Sequence, residues 1–95
     1  MNVAAVSHYP EGDLRRLLVV LAAIDVLTDA TLMRIADLTG LDEPTITTLI
    51  AMAVQQAGVK IEKDGAAYRL VNWGPVIKRS GAKLALAGEL ANGAK

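Results

Sequence analysis

Few of the 95 residues carry groups that could do covalent or metal chemistry. The chain has no cysteine, which removes disulfides and thiolate metal sites. Its one histidine, His8, has no histidine or cysteine companion, so no metal-ligand set is expected. The carboxylates fall on helix ends and polar faces, and no nucleophile elbow, phosphate-binding loop or nucleophile–base pair occurs. The expectation is a protein that is not an enzyme and takes no cofactor and no metal. What remains is hydrogen bonding and charge. Thr45, Thr47, Thr48 and Gln55, with Pro44 beside them, bring hydroxyl and amide groups into one short stretch, while Lys60, Lys63 and Arg69 bring positive charge into the next. Hydroxyls and amides both donate and accept, so the first set can read a polar surface and the second can attract an anionic one.

The charge distribution sharpens that division. The chain as a whole is neutral, which argues against a nucleic-acid binder. Residues 25–58, however, hold Arg34 against five carboxylates, a net −4, whereas residues 59–83 hold six cations against Glu62 and Asp64, a net +4. The second half is the positive end of a dipole. The longest apolar run, Leu17 to Ile24, has eight residues, against the roughly 20 that span a bilayer. The start lacks a secretory signal. A soluble, cytoplasmic protein without a membrane role is expected.

The elements that must position these residues follow from periodicity. Residues 1–9 have no period and read as a loose arm. Pro10 to Asp13 suit a helix start, and Leu14, Leu17, Leu18, Leu21 and Ile24 then fall on one helical face, with Arg15 and Arg16 on the solvated side. Thr28-Asp29 is expected to cap a second helix that carries Leu32, Ile35, Ala36 and Leu38 and stops at Gly40. Asp42 caps a third, whose apolar stripe is Ile46, Leu49, Ile50, Ala53, Val54 and Ala57. At roughly 100° per residue, the side opposite that stripe holds Pro44, Thr48, Ala51 and Gln55, flanked by Thr45, Thr47 and Met52. The period then becomes two. Alternating residues on either side of Asp64-Gly65 predict a hairpin over about 59–71, with that pair as its turn. Trp73 should anchor the end of the hairpin, and an Ala/Leu-rich helix is expected over about 75–91, with stripes formed by Ile77, Leu84, Ala87 and Ala91 and by Leu86 and Leu90.

The spacing of Ala36, Gly40, Ile46 and Leu49 resembles the helix-turn-helix signature: a small residue where helices cross, a turn glycine and two apolar plugs. The stretch Leu32–Val71, including IADLTGLDEPTITTLIAMAVQQAGVKIEKDGAAYRLV, resembles the winged helix-turn-helix DNA-binding domains of bacterial transcription regulators. That likeness covers about 40 residues, and the first helix extends it to about 60. It implies a single domain over 1–95, mainly α with a small β-hairpin wing: a three-helix core with its helix-turn-helix at about 30–57, a wing and a C-terminal helix.

The function implied is sequence-specific binding of double-stranded DNA by a small transcriptional regulator that occupies an operator. The third helix would lie in the major groove, with Pro44, Thr45, Thr47, Thr48 and Gln55 toward bases and phosphates. Lys60, Lys63 and Arg69 of the wing would follow the phosphates or the minor groove. This chain departs from the family in having no basic residue from Asp42 to Ala57. Affinity would then rest on the wing with Arg34, Lys78 and Arg79, about 3–5 phosphate contacts per subunit at a salt slope of roughly −0.9 each. A homodimer through the first and last helices would double that number. The alternative is a winged-helix protein–protein interaction module without DNA binding, which the neutral charge and acidic helix start favour. The threonines would then be a solvated face, and the lysines guards against strand-to-strand aggregation.

Overall fold

The computed structural model describes residues 9–88. Among them are four helices, α1 (Leu14–Val26), α2 (Leu32–Thr39), α3 (Glu43–Ala57) and α4 (Arg79–Leu86), and three strands, β1 (Ala30–Thr31), β2 (Lys60–Asp64) and β3 (Ala67–Asn72). The strands form one small antiparallel sheet in the order β1-β3-β2.

The centre of the molecule is α1. Asp13 caps it by accepting the backbone N–H of Arg15 at 2.8 Å. From Leu17 to Ile24 every residue except Leu18 is buried, as expected of a helix apolar on nearly all sides. Different sides of α1 meet different partners. Val20, Ala23 and Ile24 pack with Ile35 of α2, Leu41 and the α3 residues Ile46 and Ile50. Leu17 and Leu21 pack with Ala53, Ala57 and Val59, and Trp73 anchors the end of the hairpin there. Val19 packs with Tyr9 and Ala85 of α4. Each large side chain so buried contributes about 1.5–3 kcal/mol. Leu14, expected on the buried face, is instead 69% exposed in the first turn, beside a hollow that α3 borders but does not fill.

The connection between α2 and α3 is built around a buried threonine. Gly40 takes φ +78° and donates its N–H to Ala36 O at 2.8 Å. Beside it, the Thr39 hydroxyl donates to Ile35 O at 2.7 Å and accepts from Leu41 N–H at 3.2 Å. Thr39 is fully buried, and these two bonds satisfy it.

Five local expectations are corrected. The α2 cap is Thr31, not Thr28-Asp29: Ala30 and Thr31 first pair with Tyr68 and Ala67 of β3, and only then does the Thr31 hydroxyl accept the Arg34 N–H at 3.2 Å. The hairpin loop is Gly65-Ala66, one residue later than expected, because Asp64 is still paired with Ala67. The last helix begins at Arg79, not near residue 75, since Gly74-Pro75 turn the chain and Ile77 is drawn into the core beside Trp73 before the helix starts. Its buried face is Ala82 and Ala85, while Leu84 and Ala87 point to solvent. Leu90 and Ala91 lie outside the described residues, as does His8. Finally, Tyr9 does not belong to a loose arm: it is buried at 4% exposure against α1 and α4.

The hairpin is fixed to the helices by a backbone crossing. At Gly74, φ +78°, a Cβ atom would lie 2.6 Å from Gly58 O and 2.7 Å from Ala57 O. Only a residue without a side chain fits where the returning strand meets the end of α3.

Candidate functional site

Two adjoining surfaces carry the polar groups singled out in the sequence: the outer face of α3 and the β2–β3 hairpin. The helix α3 is started by Asp42, whose carboxylate accepts the Thr45 hydroxyl at 2.7 Å and the Thr45 N–H at 3.3 Å. The hydroxyl bond, followed by weaker backbone contributions, holds the Asp42 carboxyl below its ordinary range. Ile46, Ile50, Ala53 and Ala57 turn inward. Pro44, Thr47, Thr48, Ala51 and Gln55 are all exposed on the opposite side, as the periodicity predicts, with Thr45 half-buried at their edge. Val54 joins the exposed set rather than the apolar stripe, because it lies one turn beyond Ala51 on the solvent side.

The hydroxyls differ in what they do. Thr45 is committed to the cap, and Thr47 donates to Glu43 O at 3.1 Å. Thr48 and Gln55 make no side-chain hydrogen bond among the described residues, so they are the groups of this face that can pair with a partner without breaking an existing bond. Nothing on the face is cationic; its one charged residue is Glu43.

The hairpin cations are exposed but do not converge. Arg69 stands directly across from Glu62, and the two form an ion pair at 2.6 Å. Lys63 stands across from Tyr68 with its ammonium 5.2 Å from the ring centroid. Because neighbouring positions of a strand face opposite ways, Lys60 and Arg69 share one face of the hairpin and Lys63 lies on the other. Lys60 sits near the base, opposite Asn72, where Val71 is an extra residue that breaks the regular register. Of the supporting cations, Arg34 approaches Asp29 at 3.7 Å and Arg79 binds Asp25 at 3.0 Å, fastening α4 to the end of α1.

A second polar cluster escaped the sequence reading. Arg15 and Arg16 are not a solvated face. The Arg15 guanidinium binds Asp13 at 2.6 Å and stands 4.6 Å from the centroid of the Tyr9 ring. Arg16 donates through Nε to Tyr9 O at 2.9 Å, and the Tyr9 hydroxyl donates to Ala85 O at 2.7 Å. Hydrogen bonds from the Arg15 side chain and backbone hold the Asp13 carboxyl down at about 2, and burial raises the pKa of the Tyr9 hydroxyl. A tyrosine four residues ahead of a capping aspartate, itself followed by two arginines, is the signal in hindsight.

Among the described residues no group of histidine, cysteine, aspartate or glutamate could hold a metal ion, and no helix is long and apolar enough to cross a membrane. No protein-family model matches the chain, and neither a curated protein nor a solved structure matches it.

Proposed function

We propose that this protein binds double-stranded DNA in the cytoplasm as a small winged helix-turn-helix regulator, with α3 entering the major groove and the β2–β3 hairpin lying along the backbone. The observation that carries the reading is the outer face of α3: Thr48 and Gln55 project from it unbonded, and nothing among the described residues covers it. A threonine methyl suits the thymine methyl, and a glutamine amide suits the two hydrogen-bonding positions of adenine. The helix, short turn, helix and hairpin order, with a glycine in the left-handed region at the turn, supports the same reading. Base reading and phosphate binding then divide between elements, since α3 brings hydrogen-bonding groups and the hairpin brings Lys60, Lys63 and Arg69. A homodimer would double the phosphate contacts and match a two-fold operator.

One observation favours a second reading, a winged-helix adaptor that binds protein. Arg69 is already neutralised by Glu62, and the outer face of α3 offers a carboxylate but no cation.

Selection from random duplexes at low and near-physiological salt separates the two. A palindromic motif with half-sites about one helical turn apart is expected of a dimeric regulator. Recovery of no motif, at either salt, would transfer the assignment to the adaptor.

A further inference from the structure

A cavity of about 450 Å³ opens between the start of α1, the C-terminal half of α3 and the segment leading into α4. Leu17, Leu18, Met52 and Ile77 form its apolar walls. Its volume lies in the range of small-ligand sites, about 300–1,000 Å³. At its rim stand Leu14 and Val76, 69% and 68% exposed, two large apolar side chains held in water beside an apolar hollow. The polar residues that line it are Gln56 and Lys78; no carboxylate residue does. Lys78 makes no capping bond and no ion pair among the described residues, whereas its neighbour Arg79 is committed to Asp25.

An apolar hollow with one uncompensated positive charge at its edge complements an apolar body that carries one negative group. We propose that this cavity binds a small amphiphilic monoanion of the medium-chain carboxylate type, its chain lying between Leu18, Met52 and Ile77 and its carboxylate meeting Lys78. Burial of the chain supplies the driving force and the ammonium sets the orientation. Met52 and Gln56 lie on the flank of α3 next to the Thr48 and Gln55 face, and ligand binding there is read directly, so the proposal goes beyond DNA binding and does not depend on it.

The test is a titration of the full chain with decanoate, followed through the methyl signals of Met52 and Ile77. Saturable shifts confined to the cavity are expected. Lys78→Gln should weaken decanoate by about fivefold, the worth of one partly exposed ion pair, and leave decanol unaffected. Gly81 also lines the cavity, and a Cβ there meets nothing within 4 Å, so Gly81→Leu adds a bulky side chain at the cavity wall without a backbone clash. It should abolish binding in a folded protein. The absence of saturable shifts in the wild type would overturn the site. So would decanoate shifts that persist in Gly81→Leu, or cavity signals that respond only to protein concentration, the mark of a second copy covering the groove. Equal affinity for decanoate in Lys78→Gln would overturn the charge assignment on its own, which needs no second variant to fold.

Discussion

The segment ahead of α1 and the β2–β3 hairpin use the same pair of interactions for different ends. Each sets an arginine on a carboxylate at 2.6 Å and a cation over a tyrosine ring. Ahead of α1 the arginine and aspartate side chains are 29% and 15% exposed; on the hairpin the arginine and glutamate are 71% and 60% exposed. Around Tyr9 the arginines pair with near neighbours in the chain, the tyrosine hydroxyl reaches Ala85 of α4, and the ring itself is buried. On the hairpin the same chemistry is bathed in water, where an ion pair is worth about 0–1 kcal/mol and gives way readily to a stronger anion. Burial, not residue type, separates a cation that builds the protein from one that is free to serve a partner.

Four experiments bear on that contrast. The largest effect belongs to Tyr9→Ala, which empties a buried site and removes the Tyr9 bond to Ala85 O, leaving that carbonyl only the Gly88 N–H at 3.1 Å and the Ala87 N–H; a loss of about 3–5 kcal/mol is expected in urea unfolding. A change under 1 kcal/mol would make the two clusters equivalent. Next comes the double variant Lys63→Ala with Arg69→Ala. Its stability should stay within about 0.5 kcal/mol of wild type, while DNA affinity falls for every sequence and the salt slope shrinks by about 2; Thr48→Ala should relax sequence preference instead. A smaller effect is expected from Tyr9→Phe, about 1 kcal/mol, the net worth of its hydroxyl bond to Ala85 O.

The finest distinction is in pH. Asp13 titrates at about 2 in the folded protein, below the ordinary aspartate value of about 3.9. Its stabilisation is therefore complete above that ordinary value and is lost as the pH falls toward about 2. Thermal unfolding of wild type and Asp13→Asn should accordingly converge between about pH 5 and pH 2. Parallel curves would mean that Asp13 gains nothing from Arg15.

What could be read from the sequence follows the length over which a pattern repeats. The helix α3 spans four turns, so its inner stripe and outer threonines were legible, with Val54 the one misplaced member. The hairpin was legible from its alternation, though its loop was not, since one further pair at Asp64–Ala67 shifts the turn without disturbing the pattern. Two residues have no period, and β1 was therefore invisible until β3 lay beside it. Val76 and Ile77 read as helix because they are apolar and precede an alanine-rich run; Gly74-Pro75 hold them out of it. Pairings such as Arg79 with Asp25, or the Tyr9 hydroxyl with Ala85 O, join residues far apart in the chain, and no local pattern announces them. Within the candidate site, the faces of α3 were visible and the neutralisation of Arg69 by Glu62 was not, since it depends on which residues lie opposite each other across the hairpin.

The crossing at Gly74 has an evolutionary consequence. Most positions of this chain can drift, because apolar residues exchange within the core and polar ones on the surface. Gly74 has no such freedom, since any side chain would enter the space of two carbonyl oxygens at the end of α3. Descendants that keep this hairpin seated on this helix must keep that glycine, with Gly58 or another residue able to hold φ near +70° facing it. The spacing of those two positions is thus an inheritable mark by which distant kin of this chain can be recognised after the rest of the sequence has diverged.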